Sequence, residues 1–128
     1  MAHFAELSGS TVISVIVIAD SDCDGGEFPS SEGIGQMFIA SIGIVGVWKQ
    51  TSYGSNFRAR YAAVGGSYDL NRDEFVAPKP HLSWLLDENN NWQPPIPIPV
   101  GGESYAWYEA NRSWEIIVPP VADEIAAL

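Results

Sequence analysis

Three times between Tyr68 and Trp114 an aromatic residue is followed, seven or eight positions later, by another: Tyr68 and Phe75, Trp84 and Trp92, Trp107 and Trp114. The runs between them are polar: Asp69-Leu70-Asn71-Arg72-Asp73-Glu74, Asp87-Glu88-Asn89-Asn90-Asn91 and Glu109-Ala110-Asn111-Arg112-Ser113. Asn and Asp tolerate left-handed turn geometry and aromatics favour strands, so each unit predicts a β-hairpin whose aromatics meet across the strands. Three such units in succession predict an aromatic β-meander.

The residues before the meander divide into short elements. Phe4 to Leu7 and Val12 to Ile18 flank Ser8-Gly9-Ser10, which predicts an opening hairpin. Its second strand is apolar at nearly every position, as in a central strand covered on both faces. Ser30 or Ser31 can cap a helix that turns Ile34, Met37, Phe38 and Ile42 to one side and ends near Gly43, although Gly33 and Gly35 weaken it. A strand through Val45 to Thr51 follows, then a turn at Tyr53-Gly54-Ser55-Asn56. The next strand, Phe57-Arg58-Ala59-Arg60-Tyr61, should turn both arginines to solvent or to an acidic neighbour. Pro78-Lys79-Pro80 and Pro94-Pro95-Ile96-Pro97-Ile98-Pro99 cannot donate to a ladder and should run extended between hairpins. A PxxP ligand motif is formally present, with an inter-hairpin connector as the plainer reading.

The expected fold is therefore mainly β (α+β): a small antiparallel sheet with an N-terminal hairpin, one short helix and an aromatic hairpin meander. At 128 residues the chain fits one domain with its own core. Residues 1–118 are taken as that domain, with the hairpin, helix and strands in 1–66 and the meander in 67–118. Residues 119–128 form a C-terminal tail that frays or docks on a neighbour.

Charge and cysteine usage narrow the function classes. Sixteen acids stand against six Lys and Arg, a net charge of −10, which argues against nucleic acid as partner. The lone Cys23 lies between Asp22 and Asp24, whose charges disfavour a thiolate, so it is a poor nucleophile. The N-terminus has no basic, apolar leader pattern, so synthesis is expected to end in the cytoplasm. The uncharged run from Gly33 to Trp48 is shorter than the roughly 18 residues a spanning helix needs, so no membrane partner is expected.

Asp20-Ser21-Asp22-Cys23-Asp24-Gly25 matches the opening half of a calcium loop: carboxylates at positions 1, 3 and 5 and glycine at position 6. The closing half departs from it, since Ser31 stands at position 12 and Glu32 one residue later. The candidate calcium ligands are Asp20, Asp22, Asp24 and Glu32, with Glu27 as another way of completing the site; the plainer reading is a solvated acidic loop. No catalytic residues are assigned. His3 reads as an edge residue and His81 as a loop residue, and Glu88 and Glu109 as solvated turn acids rather than a glycosidase pair. Trp84, Trp92, Trp107 and Trp114 are the candidate ligand or partner residues. Exposed, they would stack on sugar rings; buried, they are the cross-strand core that a small β domain needs.

Trp48-Lys49-Gln50-Thr51-Ser52-Tyr53, Phe57-Arg58-Ala59-Arg60-Tyr61-Ala62 and Tyr68 through Pro80 stand in a specific order, continued by Ser83-Trp84, Trp92-Gln93-Pro94-Pro95 and Tyr105-Ala106-Trp107 to Trp114. With the opening Met1-Ala2-His3-Phe4-Ala5-Glu6-Leu7, this order resembles a family of small proteins encoded by tailed phages of marine cyanobacteria and related hosts. The chain departs from that pattern between Asp20 and Glu32 and from Gly43 to Gly46. The resemblance implies a phage accessory or virion protein and carries no catalytic residues. The function expected is a non-enzymatic virion structural protein that decorates or cements the capsid or docks on the tail, with other virion proteins, and itself as oligomer, as partners. The alternatives are a glycan-binding receptor module and an auxiliary protein acting inside the host.

Overall fold

The computed structural model describes residues 1–118; the tail expected at 119–128 lies outside the described residues. Among the described residues the fold is mostly β with one α-helix, as expected, and the chain divides into two compact units, Met1–Lys79 and Pro80–Leu128. The first aromatic hairpin falls in the first unit and the other two in the second. The three hairpins exist but do not form one continuous meander: the first is part of a five-stranded sheet, and the other two are separate two-stranded sheets.

In the first unit, β1 (Ala2–Ser8) and β2 (Thr11–Ile18) form the opening hairpin. A 3-10 turn (Asp20–Cys23), helix α1 (Ser30–Ser41) and β3 (Val47–Thr51) follow, then the aromatic hairpin β4 (Ser67–Asp69) and β5 (Glu74–Val76). The order across the antiparallel sheet is β3-β1-β2-β4-β5. Successive side chains of β1 serve opposite faces, and each face has its own core. Ala2 and Phe4 pack with Ile18, Trp48, Cys23 and Ile39 of the helix; Ala5 and Leu7 pack with Val12, Ala62, Tyr68 and Phe75. Among the described residues no helix is long and apolar enough to cross a membrane.

The helix is present, but the side it buries is not the one its large apolar residues suggest. Ser31, Gly35 and Ile39 are buried and Phe38 is partly buried against the core, whereas Ile34, Met37 and Ile42 are exposed. The cause is close approach: a Cβ on Gly35 would collide with the Phe4 ring and lie 3.0 Å from Cys23 Sγ. A glycine that lowers helix propensity is what lets α1 sit on the sheet. Neither serine caps the helix. Ser30 Oγ donates to the Glu27 carbonyl, and buried Ser31 Oγ donates to Gln50 Oε1 at 2.8 Å.

Two further expectations are corrected. Strand β2 meets β4 only at Thr11↔Ser67, and beyond the bonds of Val12 to Gly65 and Gly66 most of its outer side has no strand neighbour among the described residues; Ile13 and Val17 are each 47 % exposed. Phe57 to Tyr61 is not a strand, because Arg58 and Ala59 both take left-handed conformations, with φ of 56° and 68°. The segment closes the sheet in another way. Arg58 donates from its guanidinium to the Gln50 carbonyl of β3 at 2.9 Å and accepts the Phe75 N–H of β5 on its own carbonyl at 3.1 Å. Arg60 donates to the Phe75 carbonyl. The sheet thus curls until one residue reaches both of its outermost strands.

The second unit holds β6 (Leu85–Leu86) with β7 (Trp92–Gln93) and β8 (Tyr105–Tyr108) with β9 (Ser113–Ile116). The turn chemistry follows the expectation: Asn90 takes φ 60°, and Asp87 Oδ1 accepts the amides of Asn89 and Asn91 at 2.8 and 3.0 Å. In the last turn Arg112, not Asn111, is the left-handed residue, with φ 48°.

Candidate functional site

The acidic loop does not assemble the expected calcium site. The Asp20 carboxylate is ion-paired with the N-terminal ammonium at 2.8 Å. Glu32 points to the sheet, where its Oε2 accepts the Gln50 N–H at 2.8 Å and it pairs with Arg58. Among the described residues no three His, Cys, Asp or Glu side chains could hold a metal ion together. Asp20, Asp22, Asp24 and Glu32 are therefore not a ligand set: the last of them lies in the helix and is held by an arginine that sequence spacing does not reveal. Cys23 is buried in the core, and burial, followed by the charges of Asp20 and Asp22, pushes its thiol pKa up.

The polar centre of the first unit is Arg58, whose side chain is 6 % exposed. Beyond its bond to Gln50, it pairs with Glu32 and donates from Nε to Asp73 Oδ1 at 2.8 Å. Its guanidinium lies 4.8 Å from the Phe28 ring centre and 5.6 Å from that of Tyr68. Burial works against its charge, but the hydrogen bond and charge of Glu32, then those of Asp73, raise its pKa. The Tyr68 hydroxyl donates to Asp73, and burial followed by that bond pushes the phenol up to about 12. The same bond, helped by Arg58, holds the Asp73 carboxyl below the usual carboxylate range. This arrangement joins α1, β3 and the β4–β5 hairpin; it is a structural clamp, and it realises the acidic-neighbour reading of Arg58. His3, expected at an edge, lies in β1 between two strands and stacks on Tyr53 at 5.7 Å.

In the second unit the tryptophans are brought together, though not all by the expected pairing. Trp107 and Trp114 sit opposite each other across β8 and β9 with ring centres 5.2 Å apart, edge to face. Trp84 does not face Trp92, whose strand partner is Leu86; it packs instead on Trp107 at 5.9 Å and Trp114 at 6.3 Å. His81 lies 5.4 Å from Trp84. Glu109 holds the cluster: it accepts Ser83 N–H at 2.9 Å, Ser83 Oγ–H at 2.6 Å and Trp107 Nε1–H at 2.9 Å. The bonds from Ser83, then from Trp107, keep its carboxyl below the usual range. In the sequence Glu109 reads as a turn acid; the signal of its role is that Glu leads this turn where Asp leads the other two, and its longer side chain reaches away from the turn's own amides.

Trp92 takes part in a different feature. With Trp84, Trp114, Pro94, Pro97 and Ile98 it lines an open groove of about 320 Å³. Trp114 Nε1 donates to the Ile96 carbonyl at 2.7 Å, which fixes the proline-rich segment along one side. All four tryptophans are half-buried, so each has one part in ring packing and another at the surface. Trp84 Nε1 is buried without a hydrogen-bond partner among the described residues. Compared with family models, curated proteins and solved structures, the chain matches none.

Proposed function

We propose that this chain is a non-enzymatic structural component of a tailed-phage virion, decorating or cementing the capsid or docking on the tail. The observation that carries the docking part is an apolar surface at the start of β3. Val45, Val47 and Leu70 are 91 %, 60 % and 75 % exposed. Val47 lines two surface hollows at once, one of about 360 Å³ with Ala40, Ile44 and Trp48, the other of about 340 Å³ with Leu7, Tyr68 and Leu70. Apolar side chains grouped in this way on an otherwise acidic protein mark a surface that another protein covers. The virion setting rests on the resemblance carried by the central block of the sequence. Quantitative mass spectrometry of purified, salt-washed particles tests it: copies in a simple ratio to the major capsid protein support decoration, a handful support the tail, and absence rejects the reading.

The tryptophan-lined groove favours a second reading, a glycan-binding module of the tail or fibre. Aromatic faces beside the amide of Gln93 offer a stacking surface and a hydrogen-bonding group for a sugar. Host lipopolysaccharide should then quench tryptophan fluorescence, and Trp92→Ala should abolish the effect; equal quenching in the variant rejects the groove as the site.

A further inference from the structure

The strands of the first unit treat their open edges unequally. In an antiparallel strand alternate residues direct both backbone groups to the same side. Gln50 of β3 turns away from β1, and its N–H and C=O are taken by Glu32 and Arg58, while the Trp48 carbonyl accepts Gln36 Nε2 at 2.6 Å. On β5 the outward N–H and C=O of Phe75 are taken by Arg58 and Arg60. Both ends of the sheet are thus closed by side chains or loop backbone.

The outer side of β2 is not closed. Phe4 stands opposite Gln50 on one side and Ile16 on the other. Because Gln50 turns away from β1, Phe4 bonds toward β2, so Ile16 and Ile18 face β1 and Val15 and Val17 turn their N–H and C=O outward. Strand β4 reaches only Thr11, and among the described residues no strand or side chain bonds to Val15 or Val17. The run from Gly9 to Ala19 carries no charge and no proline. An open, uncharged, β-branched edge is a template for strand addition; a register shift opposite Glu6 and Leu7 leaves Ile13 as an extra residue in β2, but from Val15 to Ile18 no charge, proline or further irregularity blunts the edge.

We propose that this edge pairs with the same strand of a second copy, antiparallel about a two-fold axis at Ile16, joining two sheets into one. Two arguments select a second copy. A two-fold contact must be self-complementary, and centred on Ile16 it places Val15 opposite Val17 of the other copy, so that the outward-turned groups of both exchange hydrogen bonds. A chain of net charge −10 repels its own copy, and β2 offers a charge-free line of approach: in this register Asp20 falls opposite Val12, so no two acids face each other. The half-exposed Ile13 and Val17 become covered. This pairing stands independently of the virion reading.

Sedimentation velocity from low micromolar to hundreds of micromolar chain, with amide exchange read at Val15 and Val17, tests the pairing. A monomer–dimer equilibrium is expected, with both amides slowing as dimer forms. Val17→Lys, at a position already half exposed in the single chain, should abolish the dimer while circular dichroism shows the fold retained; Val17→Thr should keep it. Val15→Pro removes an outward N–H that the chain's own sheet does not use and should also give monomer. A wild-type chain that stays monomeric throughout the range overturns the proposal and leaves the edge to a different protein. So does a dimer that survives Val17→Lys with Val15 and Val17 exchanging freely, because it then forms through another surface.

Discussion

Residues 1–79 and residues 80–118 reach order by different means. In the first region side chains such as Phe4, Phe75, Ile39 and Val12 are fully buried, in two cores on opposite faces of one sheet. In the second, Asn90 is the one buried side chain among the described residues, and the tryptophans hold one another edge to face while remaining partly open. One region excludes water by layering; the other is held by ring contacts worth about 0.5–1.5 kcal/mol per pair and by turn carboxylates. Burial also changes what a charge can do. Arg58 is enclosed and closes strand edges, whereas Glu109 does a comparable joining task at a more open position, where its bonds count for less.

The largest expected effect is on Arg58. Arg58→Ala leaves Glu32 facing the sheet without its cation and the Gln50 carbonyl without its donor, and breaking an enclosed ion pair costs about 3–5 kcal/mol. Urea unfolding should show a loss of that size; a loss below about 1 kcal/mol, the value of an exposed pair, would erase the contrast with Glu109. Gly35→Ala comes next. Its methyl meets the Phe4 ring, and overpacking of this kind costs about 1–3 kcal/mol, although alanine is the better helix former. A variant as stable as the parent would show that α1 can shift on the sheet.

The Tyr68–Asp73 hydrogen bond makes a pH prediction with two limbs. The phenol is raised to about 12 from an ordinary value near ~10, so its contribution is complete below pH ~10 and is lost as pH rises through about 12. The Asp73 carboxyl is lowered, so its contribution is complete above the ordinary carboxylate value and is lost as pH falls through the depressed one. Melting temperature measured against pH should fall less steeply on the alkaline side in Tyr68→Phe than in the parent. Parallel alkaline limbs would remove Tyr68 from the clamp. The smallest effect belongs to Glu109→Gln. In the parent, acidification below the usual carboxylate range should shift tryptophan emission as the bonds to Trp107 and Ser83 weaken; in the variant this acid-dependent shift should disappear.

How much of this was legible beforehand differs from element to element. The opening hairpin, the helix at Ser30–Ser41 and the cross-strand pairs Tyr68–Phe75 and Trp107–Trp114 follow from local patterns: alternation, helical spacing, and turn residues that accept positive φ. Trp84 failed because an aromatic does not choose its neighbour by spacing alone. A ladder only two residues long leaves it free to pack on the next hairpin. The helix face was misread because side-chain size predicts burial only where the opposing surface has room, and Phe4 leaves room only for Gly35. The expected calcium ligands failed because Glu32 could be matched to Arg58, 26 positions further along the chain, only once the fold had brought the two together.

The sequence by itself determined the β-rich class, the positions of the opening hairpin, the helix and the aromatic turns, and the acidic charge balance, because these depend on neighbours within a few residues and on composition. The tertiary structure alone decided which strand edges are closed and which stays open, which carboxylates are occupied, and which tryptophans share a cluster. Those outcomes depend on contacts between residues far apart in the chain, where the curvature of one sheet decides that Arg58 can reach both β3 and β5 while, among the described residues, no strand pairs with the outer side of Val15 and Val17.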